Sequence, residues 1–402
     1  MEDLKLVIVG HVDHGKSTLI GRLLLDTNSL PDGKLEEIEE TCKKLGREVE
    51  LAYITDNLRE EREQGITIDT AQIFFKTRKR NYVIIDAPGH VEFVKNMVTG
   101  ASQAQAAVLL VDAGEGVQEQ TRRHAYILGL LDLKQVIVAM NKMDLVGYRE
   151  ERFKEVEEEL RKFLTTINVT PKHLIPISAK DGDNIAARSA KMGWYTGPTF
   201  LEALDLLGAQ QKTLGGALRY PVQDVYVHGG KRIFVGRVES GTIHVGDEVT
   251  VYPDPRMTKI KSIEVYMKDK KEAEAGESIG VTTKDKLFIE RGNVICAGKP
   301  PKVTDTLDAK VFWMGKKPLQ PGDKVTIRIA TQETECTVEV KKRMNSSTLE
   351  ELGPGPLENN EVAEATIKTD NPVVAESFND IPELGRFVLI KDNDIIAGGT
   401  LY

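Results

Sequence analysis

Along the first half of the chain, short apolar runs alternate with longer stretches in which apolar residues recur every three or four positions. The runs at residues 4–9, 82–85, 106–111, 135–140 and 174–177 are each long enough for a strand buried on both faces. Between them, residues 151–164 place Phe153, Val156, Leu160, Phe163 and Leu164 on one helical face while Glu and Lys cover the other. Residues 18–25 also have a helical pattern. Strands alternating with helices predict an α/β domain over residues 1–208, with a mostly parallel sheet and helices on both faces. Residues 31–64 break this pattern. They are rich in charge and poor in apolar runs, and are expected to form short, mobile helices.

The period changes after Leu207. A polar, glycine-ended stretch at residues 210–216 reads as a linker, and beyond it β-branched alternation replaces the helical spacing, as at residues 232–239, 248–252 and 324–330. Many short strands bounded by Gly, Pro and Asp turns predict closed barrels instead of open sheets. Pro300 and Pro301 cannot continue a central strand, so they mark a boundary between two all-β barrel domains, residues 214–299 and 303–402.

Composition narrows the class. At 402 residues the chain is long enough for two or three domains. A net charge of −8 gives no overall basic field for nucleic acid or an anionic membrane. Cys42, Cys296 and Cys336 are odd in number and far apart, which argues against a disulfide framework or a zinc site. Neither a leader pattern nor a bilayer-length apolar run is present, so a cytoplasmic protein without a membrane partner is expected.

Candidate chemistry falls at the ends of the predicted strands. Residues 10–18 read Gly-His-Val-Asp-His-Gly-Lys-Ser-Thr, a phosphate-loop pattern between a strand and a helix. Its candidate nucleotide contacts are Asp13, His14, Gly15, Lys16, Ser17 and Thr18, with Lys16 reaching the outer phosphates and Ser17 binding Mg²⁺. The imidazoles of His11 and His14 are read as structural, and His124, His173, His228 and His244 as ordinary. Asp86 ends a strand and would hold Mg²⁺ through water, while the Gly89 N–H would meet a terminal phosphate. Thr67, at the end of the charged segment, would complete the Mg²⁺ shell only while that phosphate is present, as in a switch.

Asn141-Lys-Met-Asp144 and Ser178-Ala179-Lys180 each follow a predicted strand. The Asp144 carboxylate can accept from the ring N–H and exocyclic amine of guanine, an arrangement adenine lacks. Asn141 is expected at the base edge, Lys142 along the purine face, and the Ala179 N–H at the guanine oxygen. The five elements in order imply GTP and Mg²⁺.

With the string Glu61-Arg-Glu-Gln-Gly-Ile-Thr-Ile-Asp69 and Asp86-Ala-Pro-Gly-His90, the chain resembles the translation-type GTPases over its full length. That family includes elongation factors 1-alpha and Tu and the GTPase subunit of sulfate adenylyltransferase. The resemblance implies a G domain followed by two β-barrels. It also implies that His90 positions the attacking water, screened by Val12 and Ile66, and that a partner raises a slow basal rate.

The segments Asp181-Gly-Asp-Asn184, residues 194–202, Val311-Phe-Trp-Met314 and residues 317–322 are more similar to the sulfate adenylyltransferase subunit. In the third domain, residues 320–330 stand where elongation factors carry a Gly-Tyr-x-Pro segment and a following His-Thr that handle aminoacyl-tRNA. His14, Ala87 and residues 376–386 are instead similar to elongation factors. Neither a second phosphate loop after Leu207 nor a His-x-Gly-His motif occurs in these residues. Adenylyl transfer from ATP to sulfate would therefore need a smaller nucleotidyltransferase subunit as partner. On the alternative expectation the partners are aminoacyl-tRNA and the ribosome.

Overall fold

The computed structural model describes residues 3–11, 13–30, 33, 72–86, 104–208, 216–265 and 268–402. The chain forms two compact units: residues 1–209 with 346–348, and residues 210–345 with 349–402. Among the described residues, no helix is long and apolar enough to cross a membrane.

The first unit is built on a six-stranded sheet in the order β2-β3-β1-β4-β5-β6. The strands are β1 (Leu4–Gly10), β2 (Gln72–Lys76), β3 (Asn81–Asp86), β4 (Ala106–Asp112), β5 (Val136–Asn141) and β6 (His173–Pro176). All neighbours pair in parallel except β2, which runs antiparallel to β3. Leu6, Val7 and Ile8 of β1 are fully buried, each worth about 1.5–3 kcal/mol of removal from water. The helices are α1 (Lys16–Asp26), α2 (Glu119–Leu130), α3 (Glu150–Thr166) and α4 (Phe200–Leu206). In α3 the buried residues are the five at helical spacing in the sequence, so amphipathicity there translates directly into packing. Helix α4 starts at a reciprocal cap. The Thr199 hydroxyl accepts from the Glu202 N–H, and the Glu202 carboxylate accepts from the Thr199 N–H.

Strand β2 was not expected from the sequence. Its apolar run Ile73-Phe-Phe75 blurs the alternation, yet only Ile73 and Phe75 turn inward, while Phe74 is exposed. Phe75 stacks on Tyr82 of β3 at 4.7 Å. Asp205, on α4, fixes this pair of strands by accepting from the Tyr82 hydroxyl at 2.6 Å and the Thr77 hydroxyl at 2.8 Å. The expected helical segment at residues 31–64, apart from Gly33, lies outside the described residues.

The second unit holds two antiparallel rings. In the first, Glu248–Tyr252 pairs with Val294–Ala297, and the order continues through Leu218–His228, Lys231–Arg237, Ser278–Thr283 and Arg256–Val265. Arg256–Val265 then pairs back onto Glu248–Tyr252 and closes the barrel. The second runs through Lys324–Ile329, Arg386–Lys391, Asp394–Leu401, Lys302–Trp313, Glu361–Ala375 and Gln332–Asn345, whose pairing with Lys324–Ile329 closes it. Each ring has its own apolar core, around Tyr220, Phe234 and Val251 in one and Val311, Trp313 and Leu389 in the other. The closed architecture expected from short, turn-bounded strands is thus present twice.

Between the rings, Val294 and Cys296 pack with Val374 and Leu384. Arg219, almost fully buried, binds the Glu376 carboxylate at 2.7 Å beside them. Burial pushes the thiols of Cys296 and Cys336 up to about 12, so both behave as small apolar groups. Cys42 lies outside the described residues.

Candidate functional site

The parallel register carries several strand ends to one edge of the sheet. Ile8 pairs with Asp86, Gly10 with Leu110, and Asp112 with Asn141. The C-terminal ends of β1, β3, β4, β5 and β6 therefore share one edge, where ligands of open α/β sheets bind.

The loop after β1 turns into α1 through Gly15, whose φ is +93°. A side chain there would be strained, and a Cβ would lie 2.5 Å from Asn141 Nδ2. Helix α1 carries no side-chain cap and no acidic residue in its first turn, so its amide end faces the loop as a site suited to an anion. Lys16 opens this helix and is buried, Ser17 and Thr18 complete the first turn half-buried, and Asp13 is exposed at φ +63°.

Asn141, at the end of β5, is 2% exposed. Its Nδ2 donates to the backbone oxygen of His14 at 2.9 Å, and its Oδ1 accepts from the Ala179 N–H at 2.9 Å. Within the protein, Asn141 braces the phosphate loop against the loop after β6, and the Ala179 N–H has that carboxamide as acceptor. Burial is the reason, since a carboxamide enclosed between two loops must satisfy their backbone groups.

Lys142 follows with φ +61° and binds the Asp112 carboxylate through Nζ at 2.7 Å. Asp112 also accepts from the Gly114 and Glu115 N–H groups. Burial opposes its charge, but the Lys142 bond and the two amides prevail and hold its carboxyl below the usual carboxylate range. Asp144 lies half-buried in the 3₁₀ turn Met143–Val146. Ser178 is fully buried and its hydroxyl accepts from the Asp181 N–H, while Lys180 is exposed. The chain then turns at Gly182, φ +84°, where a Cβ would collide with the Arg22 guanidinium from α1.

His14 is fully buried, with Nδ1 3.3 Å from the Leu110 oxygen and Nε2 3.3 Å from the Glu115 carboxylate. Burial outweighs these contacts and keeps its pKa below the ordinary histidine value. The His11 ring meets it edge-on at 5.1 Å and contacts Gln120. His124, expected to be ordinary, belongs to the same neighbourhood. Its burial, then the charge of Lys16, pull it down to about 3, so it is neutral, and among the described residues its Nδ1 has no partner. Val12, Ile66, Thr67, Gly89 and His90 lie outside the described residues, and Asp86 is described only as the last residue of β3.

Residues 2–210 match the family model described as the elongation factor Tu GTP binding domain. Residues 232–296 match elongation factor Tu domain 2, and residues 306–402 match the GTP-eEF1A C-terminal domain-like family. The chain belongs to the elongation factor Tu family of GTP-binding proteins. It is 39% identical over 407 residues to elongation factor 1-alpha of Natronomonas pharaonis, covering 98% of this chain and 96% of that protein. It is also 39% identical over 395 residues to sulfate adenylyltransferase subunit 1 of Aeromonas salmonicida, covering 96% and 83%. Elongation factor 1-alpha of Thermoplasma acidophilum is 40% identical over 411 residues, covering 98% and 96%. Both kinds of relative thus stand at the same level.

Two partners of the elongation factor Tu-type loops were missed by motif spacing. Asp112 was legible only as an acid ending an apolar run, and Tyr148 gave no signal, because its contacts, Asp181, Asp183 and Lys191, are distant in sequence.

Proposed function

We propose that the protein is a GTP-operated switch that couples GTP hydrolysis to ATP-dependent sulfate activation on a separate, smaller nucleotidyltransferase subunit. Residues 13–18 cradle the phosphates, Lys16 neutralises the outer ones, and Asp144 selects guanine, with Lys142 along the ring. The donor set suits Mg²⁺, since the Ser17 and Thr67 hydroxyls, with the Asp86 carboxylate acting through water, would offer hard oxygen donors. When bound, the ion offsets charge between the phosphates. His90 orients the water, and Gly89 senses the terminal phosphate.

The observation that carries the sulfate reading is the start of the last ring. Strand Lys324–Ile329 passes into Gln332–Asn345 through Ala330 and Thr331 alone, with Ala330 at φ +51°. The aminoacyl-tRNA-handling segment expected of elongation factors has no counterpart in residues 320–330. A second reading, an elongation factor delivering aminoacyl-tRNA to the ribosome, is favoured by the greater share of the Natronomonas pharaonis factor covered, 96% against 83% of the Aeromonas salmonicida subunit.

Purification from native extract separates the two. Co-purification of a nucleotidyltransferase whose sulfate- and ATP-dependent pyrophosphate release rises with GTP supports the first. GTP-dependent protection of aminoacyl-tRNA esters, without such a partner, overturns it in favour of the second.

A further inference from the structure

We propose that Tyr148 is a positioning residue for guanine recognition, clamping the segment that carries Asp144 onto the loop that carries Ala179. The inference rests on the reading that these two loops hold the base. Its starting point is a cluster outside the motifs themselves.

Tyr148 lies just beyond the 3₁₀ turn of Asp144, at φ +58°, and its N–H closes that turn on the Met143 oxygen at 2.8 Å. The hydroxyl reaches across to the other loop, 2.8 Å from Asp181 Oδ2 and 3.0 Å from Asp183 Oδ2. Lys191 Nζ donates to the same hydroxyl at 2.8 Å and sits 4.7 Å from the ring centroid. It also bridges both carboxylates, at 3.3 Å and 3.1 Å. A phenol between one cation and two carboxylates is held by charge-assisted bonds, which are stronger than neutral ones.

From there the path to Ala179 is short. The Ser178 N–H donates to the Asp183 backbone oxygen at 3.2 Å, the Gly182 N–H donates to the Ser178 oxygen at 2.8 Å, and the Asp181 N–H donates to the Ser178 hydroxyl at 3.2 Å. Asp183 is itself steadied by the Ser189 hydroxyl at 2.7 Å, and the Tyr148 carbonyl accepts from Trp194 Nε1 at 3.0 Å. The two loops are thus tied at three places: by Asn141 next to the phosphate loop, by the Met143 N–H donating to the Ile177 oxygen at 3.2 Å, and by Tyr148 on the far side of Asp144. Asn141 sets how close the loops come, and Tyr148 sets the orientation of the turn presenting the Asp144 carboxylate.

The test measures dissociation of GDP and of inosine diphosphate, which lacks the exocyclic amine that Asp144 would bind. Both are measured in the full chain and in Tyr148→Phe, with thermal unfolding recorded alongside. The expected result is GDP release faster by about five- to tenfold with a smaller change for inosine diphosphate, so that discrimination between the two narrows. Equal acceleration of both, or changes within twofold, would overturn the positioning role. If the unsubstituted protein does not prefer GDP over inosine diphosphate, the underlying guanine reading fails instead. Should Tyr148→Phe not fold, Lys191→Gln, on the exposed side of the cluster, is judged by the same two rates.

Discussion

Asn141 and His14, 127 positions apart, are joined by a buried 2.9 Å hydrogen bond from the asparagine carboxamide to the backbone oxygen of the phosphate loop. Through its other end the same carboxamide holds Ala179. Asn141→Ala leaves two buried backbone groups unpaired, each costing about 1–3 kcal/mol. The expected outcome is a protein destabilised by about 2–4 kcal/mol, with GDP affinity reduced at least tenfold. Thermal unfolding and titration calorimetry check both, and an unchanged affinity would remove the brace from the account of the site.

Asp144→Asn replaces a carboxylate that accepts from guanine with a group that can also donate. GTP affinity should fall while xanthosine triphosphate, which offers an acceptor at that position, is preferred. Competition binding between the two nucleotides reads this directly, and unaltered GTP binding sinks the guanine assignment.

His90→Ala should bind GTP normally and lose partner-stimulated hydrolysis by about 10²-fold or more. A variant with ordinary stimulated turnover would show that a different group orients the water.

Glu239 supplies a pH-dependent prediction. Burial, then the negative charge of Glu383, push its carboxyl up to about 7. A carboxyl raised on folding binds its proton more tightly in the native state. Its contribution is therefore fully present below the unfolded value of about 4.5 and is lost as pH rises through about 7. Glu239→Gln should match the unsubstituted protein near pH 4.5 and be more stable at pH 8.5, by about 1 kcal/mol after discounting for partial exposure. Denaturant unfolding at the two pH values measures the difference, and a variant less stable at pH 8.5 would reverse the sign of the argument.

Much of this architecture is written in local pattern. Continuous apolar runs announced the parallel strands, because a strand covered on both faces has no polar side to show, and α3 was legible from its single apolar face. The turn-rich second half announced closed rings for a similar reason. Strand β2 escaped because an edge strand is buried on one face only and Phe74 stands exposed where the pattern suggested burial. At the site, the motif residues were legible as types at spacings, but the brace that Asn141 makes inside the protein was not. Which backbone groups a carboxamide meets depends on what folds over it, and His14 and Ala179 approach from 127 and 38 positions away. His124 and Tyr148 were opaque for the same reason, since their neighbours come from other elements.

Ring closure in the second unit also constrains how a partner can be recognised. Each barrel pairs its last strand with its first, at Glu248–Tyr252 with Arg256–Val265 and at Lys324–Ile329 with Gln332–Asn345. Along those paired stretches the ladders are satisfied, so an incoming chain cannot extend them there by adding a strand. Association on those stretches is written in side chains, which can diverge one residue at a time while the scaffold stays intact. A fold of this kind can be reassigned from one partner to another without being rebuilt.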